Sequence, residues 1–115
     1  MITISGTTIT LTRGDTASIT FSLTDSDGTT VPLVSGDTVY FTIKKASATA
    51  KKLLQKIIEE FDNGSAQIDI GATDTKSMDF GEYVYDIQVN RDSDSSVSTV
   101  IGPAKFVLAE EVTYE

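Results

Sequence analysis

Residues 79–89 read Asp-Phe-Gly-Glu-Tyr-Val-Tyr-Asp-Ile-Gln-Val, and no other stretch narrows the possible folds as much. A turn at Asp79 and Gly81 runs directly into a strand on which Tyr83, Tyr85, Ile87 and Val89 alternate with Glu82, Asp86 and Gln88. Successive side chains of a strand point to opposite faces, so this alternation predicts one buried face and one outward face.

The same signature recurs along the chain in short pieces separated by turns. Ile9 and Leu11 alternate with Thr8, Thr10 and Thr12 and stop at Arg13-Gly14-Asp15. Ala17, Ile19, Phe21 and Leu23 alternate with hydroxyl residues up to the turn Asp25-Ser26-Asp27-Gly28. Pro32 excludes the connection 31–34 from the middle of a sheet, because proline has no N–H to donate. Val39, Phe41 and Ile43 form the next alternating run. Asp62-Asn63-Gly64 is a hairpin turn, followed by Ile68 and Ile70 on a short strand. Residues 73–79 predict one helical turn capped by Thr73 or Asp74. A polar turn at Arg91 to Ser96 precedes the last strand, Val97 to Leu108, broken at Gly102-Pro103 by a bulge.

Segment 46–61 reads two ways. Leu53, Leu54, Ile57, Ile58 and Phe61 fall at helical spacing among good helix formers. As a strand, the segment has apolar residues on both faces. Context favours the strand, because residues 66–70 need a partner across the Asn63-Gly64 turn. Short strands at regular spacing then predict an all-β fold, a sandwich. Tyr83, two residues after Gly81 at the start of a late strand, reads as a tyrosine corner, in which the phenol ties a loop to the strand that it enters.

Composition removes whole classes of function. A chain of 115 residues suits one domain, residues 1–115. It has no Cys and no His, so thiolate nucleophiles, disulfides, zinc-thiolate sites and the commonest general base all go together. A net charge of −8 opposes nucleic acid and anionic membranes as partners. No apolar run approaches the ~20 residues of a membrane helix. Met1 to Gly6 lacks the basic and apolar regions of a signal peptide. The expectation is a non-catalytic domain without cofactor or metal.

Arg13-Gly14-Asp15-Thr16 leading into Ile19-Thr20-Phe21, Val39 to Lys45, Leu53-Leu54-Gln55-Lys56-Ile57 and Gly81 to Gln88 stand in an order that resembles a known family. It is the immunoglobulin-like N-terminal domain of phage baseplate upper proteins and related small prophage tail proteins. The resemblance spans nearly the whole chain, while Ala46 to Lys51 and Ile58 to Phe61 depart from its pattern. It implies an immunoglobulin-like antiparallel β-sandwich of about seven strands. It also implies a virion location in a phage tail or baseplate. Partners there are other tail or baseplate proteins, homo-oligomers included, and the module has no chemistry of its own. The alternative is a carbohydrate- or cell-surface-binding sandwich, for which Tyr40 and Tyr114 are the aromatic candidates. The chain reads either as a complete small protein or as the first domain of a longer one.

Several motifs have bland readings that suffice. Arg13-Gly14-Asp15 matches an adhesive tripeptide and is also a tight turn. Asn63-Gly64-Ser65 matches a glycosylation sequon and is also a hairpin. Asp25-Ser26-Asp27-Gly28 and Asp92-Ser93-Asp94 begin like calcium loops but lack the bidentate Glu. In an immunoglobulin-like sandwich, alternate loops share an end. That arrangement sends Lys44, Lys45, Lys51 and Lys52 to one end and Asp25, Asp27, Asp92 and Asp94 to the other, as candidate interaction ends.

Overall fold

The structure, a computed structural model, describes residues 7–24, 27–46, 51–93 and 95–110, together with the backbone of 2–5. It is mostly β, with 58% of residues in strands and ~5% in helix, so the all-β expectation holds. The strands are β1 (Ile2–Ser5), β2 (Thr8–Thr12), β3 (Ala17–Phe21), β4 (Leu23–Thr24), β5 (Thr30–Val31), β6 (Thr38–Lys44), β7 (Leu54–Ile58), β8 (Ala66–Ile70), β9 (Gly81–Asn90) and β10 (Val97–Ala109). One helix, α1 (Ala72–Lys76), lies between β8 and β9.

Six strands form a curled sheet in the order β1-β2-β10-β9-β6-β7, and β3 pairs with β8 in a smaller sheet. β4 and β5 form a third, two-stranded pair. The alternation of β9 is realised without a slip, since Tyr83, Tyr85, Ile87 and Val89 are buried and the residues between them are not. Phe41 and Phe106 from the larger sheet and Ile68 and Ile70 from the smaller one belong to one buried apolar cluster. Burying large side chains of this kind contributes roughly 1.5–3 kcal/mol each, so the common cluster holds the sheets together.

Four expectations need correction. The described residues carry ten strands rather than about seven. The difference lies in β1 and in β4 and β5, whose two-residue rungs flank the turn after Thr24 and are too short to leave a periodic trace. The larger sheet is mixed rather than antiparallel, because Phe106–Ala109 of β10 run parallel to Ile9–Thr12 of β2. Local periodicity carries no information on strand direction. The helix begins at Ala72, one residue before residue 73, and ends at Lys76, with Gly71 rather than Thr73 or Asp74 at the cap position and no side-chain cap bond. Asp74 acts from within the first turn instead, accepting a hydrogen bond from Gly71 N–H at 2.7 Å. Finally, among the described residues of the ambiguous segment Leu54–Ile58 form the strand that context favoured, but it pairs antiparallel with β6, while residues 66–70 take β3 as their partner. Leu54 and Ile58 pack against the core, Ile57 stays 53% exposed, and Lys56 reaches Asp74 on α1 at 2.8 Å. Pairing with β6 overrides the helical preference of these residues.

The Asn63-Gly64 turn forms, with Asp62 and Ser65 bonded backbone to backbone and both central residues at positive φ, but the strands it joins belong to different sheets, so residues 66–70 do not find their partner across it. β10 carries register shifts on either side of Ile101, where the bulge was expected, and the Gly102-Pro103 peptide is cis.

Candidate functional site

Two ends of the molecule gather the side chains singled out above. At one end, the turn after β2 meets the connection between α1 and β9. Gly14, at φ 85°, donates its N–H to the buried Thr75 Oγ1 at 2.9 Å. Arg13 donates to the Met78 carbonyl at 3.3 Å, and its guanidinium stacks 4.2 Å from the centre of the Phe80 ring. The arginine of the adhesive-looking tripeptide is therefore spent on its own fold. Beside it, Lys45, Lys51, Lys52, Leu53, Met78 and Asp79 line a groove floored by Tyr83. Lys45 Nζ stands 4.9 Å over the Tyr83 ring, within cation–π range.

Tyr83 anchors this end. Its ring is 4% exposed, and its hydroxyl donates to the Asp79 carbonyl at 2.6 Å, tying the turn to the strand that follows. Burial pushes the phenol pKa up, and the Asp79 carboxylate pushes it further. Tyr85, next on the same face, donates its hydroxyl to the Thr7 carbonyl and so binds β9 to the segment before β2. Replacing Tyr83 by Phe should cost about 1–3 kcal/mol, because the Asp79 carbonyl loses its donor. Denaturant unfolding reads this as a lower midpoint at unchanged slope. An unchanged midpoint would show that the hydroxyl does not hold the turn.

Lys44 does not join this groove. It lies on the outer face of the larger sheet, in a shallow depression with Thr42, Val84, Asp86 and Pro103. Tyr40 and Val84 are both half-buried on that outer face. Tyr40 pairs with Gln88 of β9, so it stands four residues from Val84, about 13 Å along the strand. They do not form one continuous apolar strip, and Tyr114, the other aromatic candidate, lies outside the described residues.

The opposite end is built around an acid that sequence reasoning passed over. Asp37 has a side-chain exposure of 0% and accepts hydrogen bonds from Val34 N–H at 3.0 Å and Asp92 N–H at 3.1 Å. Arg91 Nε lies 3.0 Å from Asp37 Oδ2, an ion pair whose N–H is not aligned on the oxygen. Burial pushes the Asp37 pKa up, but the two backbone donors and the guanidinium outweigh it and hold the carboxyl below the ordinary 3.8. The pair draws the 32–37 connection against the turn after β9, where Arg91 also reaches the Pro32 carbonyl at 3.4 Å. Pro32 packs in turn against Gly64 of the hairpin. No spacing in the sequence couples residue 37 to residue 91.

Asp92 belongs to this end, its carboxylate folded over Gly36. Asp27 is exposed in the turn after β4. Asp25 and Asp94 lie outside the described residues. Among the described residues no group of three or more His, Cys, Asp or Glu could hold a metal ion. No described helix is long and apolar enough to cross a membrane. Lysines thus converge around Tyr83 at one end, while at the other the base Arg91 is taken up by a buried acid. Such an arrangement supports contacts between surfaces. Comparison with family models, curated proteins and solved structures finds no match.

Proposed function

We propose that the chain is a non-catalytic structural or adaptor module of a phage tail or baseplate, folded as an immunoglobulin-like β-sandwich and assembled through protein–protein contacts. In this reading the larger sheet and the β3–β8 sheet are the two layers, and the Tyr83 to Asp79 bond is the tyrosine corner. The observation that carries the assembly role is the lysine groove around Tyr83 on a chain of net charge −8. A local basic surface on an acidic body orients the module against an acidic neighbour and sets which end docks. Tail and baseplate proteins are the partners.

The test is the composition of purified phage particles. The wild-type chain should be present at fixed copy number, as read by quantitative mass spectrometry. Lys51→Glu/Lys52→Glu should fold normally and be at least tenfold depleted from particles. Contact of isolated partner and chain should weaken as salt rises from about 0.1 M to about 1 M, because the Debye length falls from about 10 Å to about 3 Å. Absence of the wild-type chain from particles would overturn the reading. Incorporation unaffected by the charge reversal would remove the groove from it.

A further inference from the structure

Strand β3 borders the smaller sheet on an open side. Ala17–Phe21 pairs with β8 along one edge, and among the described residues no strand pairs with the other. That edge presents backbone N–H and C=O groups as a template for a further strand. Natural edge strands discourage such pairing with a lysine, a proline or a bulge. Thr16-Ala17-Ser18-Ile19-Thr20-Phe21-Ser22 has no charge and no proline, and its register with β8 runs without a shift.

Packing is incomplete at the same place. On the β8 side of the ladder Ala66, Ile68 and Ile70 are at most 2% exposed, whereas Ala17 and Ile19 opposite them are only half-buried. An apolar cavity of about 170 Å³ opens here, lined chiefly by Ile9, Ile19, Phe21, Tyr85 and Ile101. The facing stretch of the larger sheet is open as well. β2 covers only Phe106–Ala109 of β10, leaving the strand's first half with β9 alone among the described strands. Val97 and Val100 on that half are 61% and 37% exposed.

We infer that this seam is the contact between two copies of the chain, joined by antiparallel pairing of β3 with β3 across a two-fold axis at Ile19. A second copy is the occupant because the strand is complementary to itself. Antiparallel pairing must set inward residues against inward residues, and the register centred on Ile19 uses the whole strand. It places Ile19 against Ile19 and the small Ala17 against the large Phe21. On the outer face it places Ser18 against Thr20, a favourable hydroxyl pair. No like charges meet along the strip, although a chain of net charge −8 repels its copies elsewhere. The two smaller sheets merge into one, β8-β3-β3-β8, and the identical patch on both partners closes the assembly as a dimer. The seam holds whether or not the chain belongs to a phage particle.

Sedimentation equilibrium from about 1 μM to about 1 mM tests it. The wild-type mass should rise toward twice the 12.3 kDa of one chain. Ser18 and Thr20 are exposed, so charges there leave the core intact, with circular dichroism as the control. Ser18→Lys/Thr20→Lys opposes lysine to lysine on both outer rungs and should weaken the dimer at least tenfold. Ser18→Lys/Thr20→Glu opposes lysine to glutamate and should restore it. The charged ends of the molecule are untouched by either variant, which separates this contact from end-to-end association. A wild-type monomer across the range overturns the inference, as does equal weakening by the two double variants.

Discussion

Asp37→Ala should lower the unfolding free energy by about 3 kcal/mol, because it leaves two backbone N–H donors and a guanidinium facing an empty site. Val34 and Asp92 lose their acceptor and Arg91 its counter-ion in one change. For a domain of this size the loss should appear as a fall of about 10 °C or more in Tm. The pH dependence follows from the direction of the shift. The folded pKa lies below the unfolded one, so the folded state keeps the carboxylate to lower pH than the unfolded chain does. The contribution is therefore fully present above the unfolded value of about 3.9 and is lost as pH falls through the folded pKa. Asp69 and Asp74 are shifted in the same direction, the first by side-chain bonds from Gln67 and Ser18, the second by Lys56. The clean measurement is thus a difference. Wild type minus Asp37→Asn should be constant from pH 7 to 5 and shrink below about pH 4. A difference that stays flat to pH 2 would show that the buried acid does not titrate with folding.

Gly102→Ala should destabilise the protein by about 2–4 kcal/mol. Gly102 has φ +109°, a region that side chains rarely adopt, and it sits where β10 shifts register. A Cβ there would stand 2.6 Å from the Tyr85 carbonyl oxygen and 2.9 Å from Asp86 Cα. Both are backbone atoms of β9, so relief requires moving a central strand of the larger sheet. Gly28 is the matched control, at φ +81° with nothing within 4 Å of its added Cβ. Gly28→Ala should cost only the conformational strain, about 1–2 kcal/mol. If the two variants unfold at the same denaturant midpoint, the close approach of β10 to β9 is not what constrains residue 102.

What could be read from the residues, and what could not, divides by the range of the forces involved. The two faces of β9, the turn at Asn63-Gly64 and the break near Gly102 were readable because each depends on neighbouring backbone and side-chain sterics. The position of Tyr83 was readable for the same reason, since its hydroxyl bonds only four residues back. Segment 53–58 was not settled that way. Its local preference was helical, and pairing with β6 decided for a strand. The direction of β2 beside β10 needed the return of the chain from residue 9 to residue 106. Asp37 and Arg91 likewise meet across 54 residues, and no local pattern marks that acid as buried. Among the lysines, sequence order placed Lys44 beside Lys45. The pleat of β6 then turned Lys44 onto the outer sheet face, while Lys45, just past the strand's end, joined Lys51 and Lys52 over Tyr83. Alternation is a property of the strand alone, whereas which strands meet, and which charges become buried, depends on closing loops that no local pattern records.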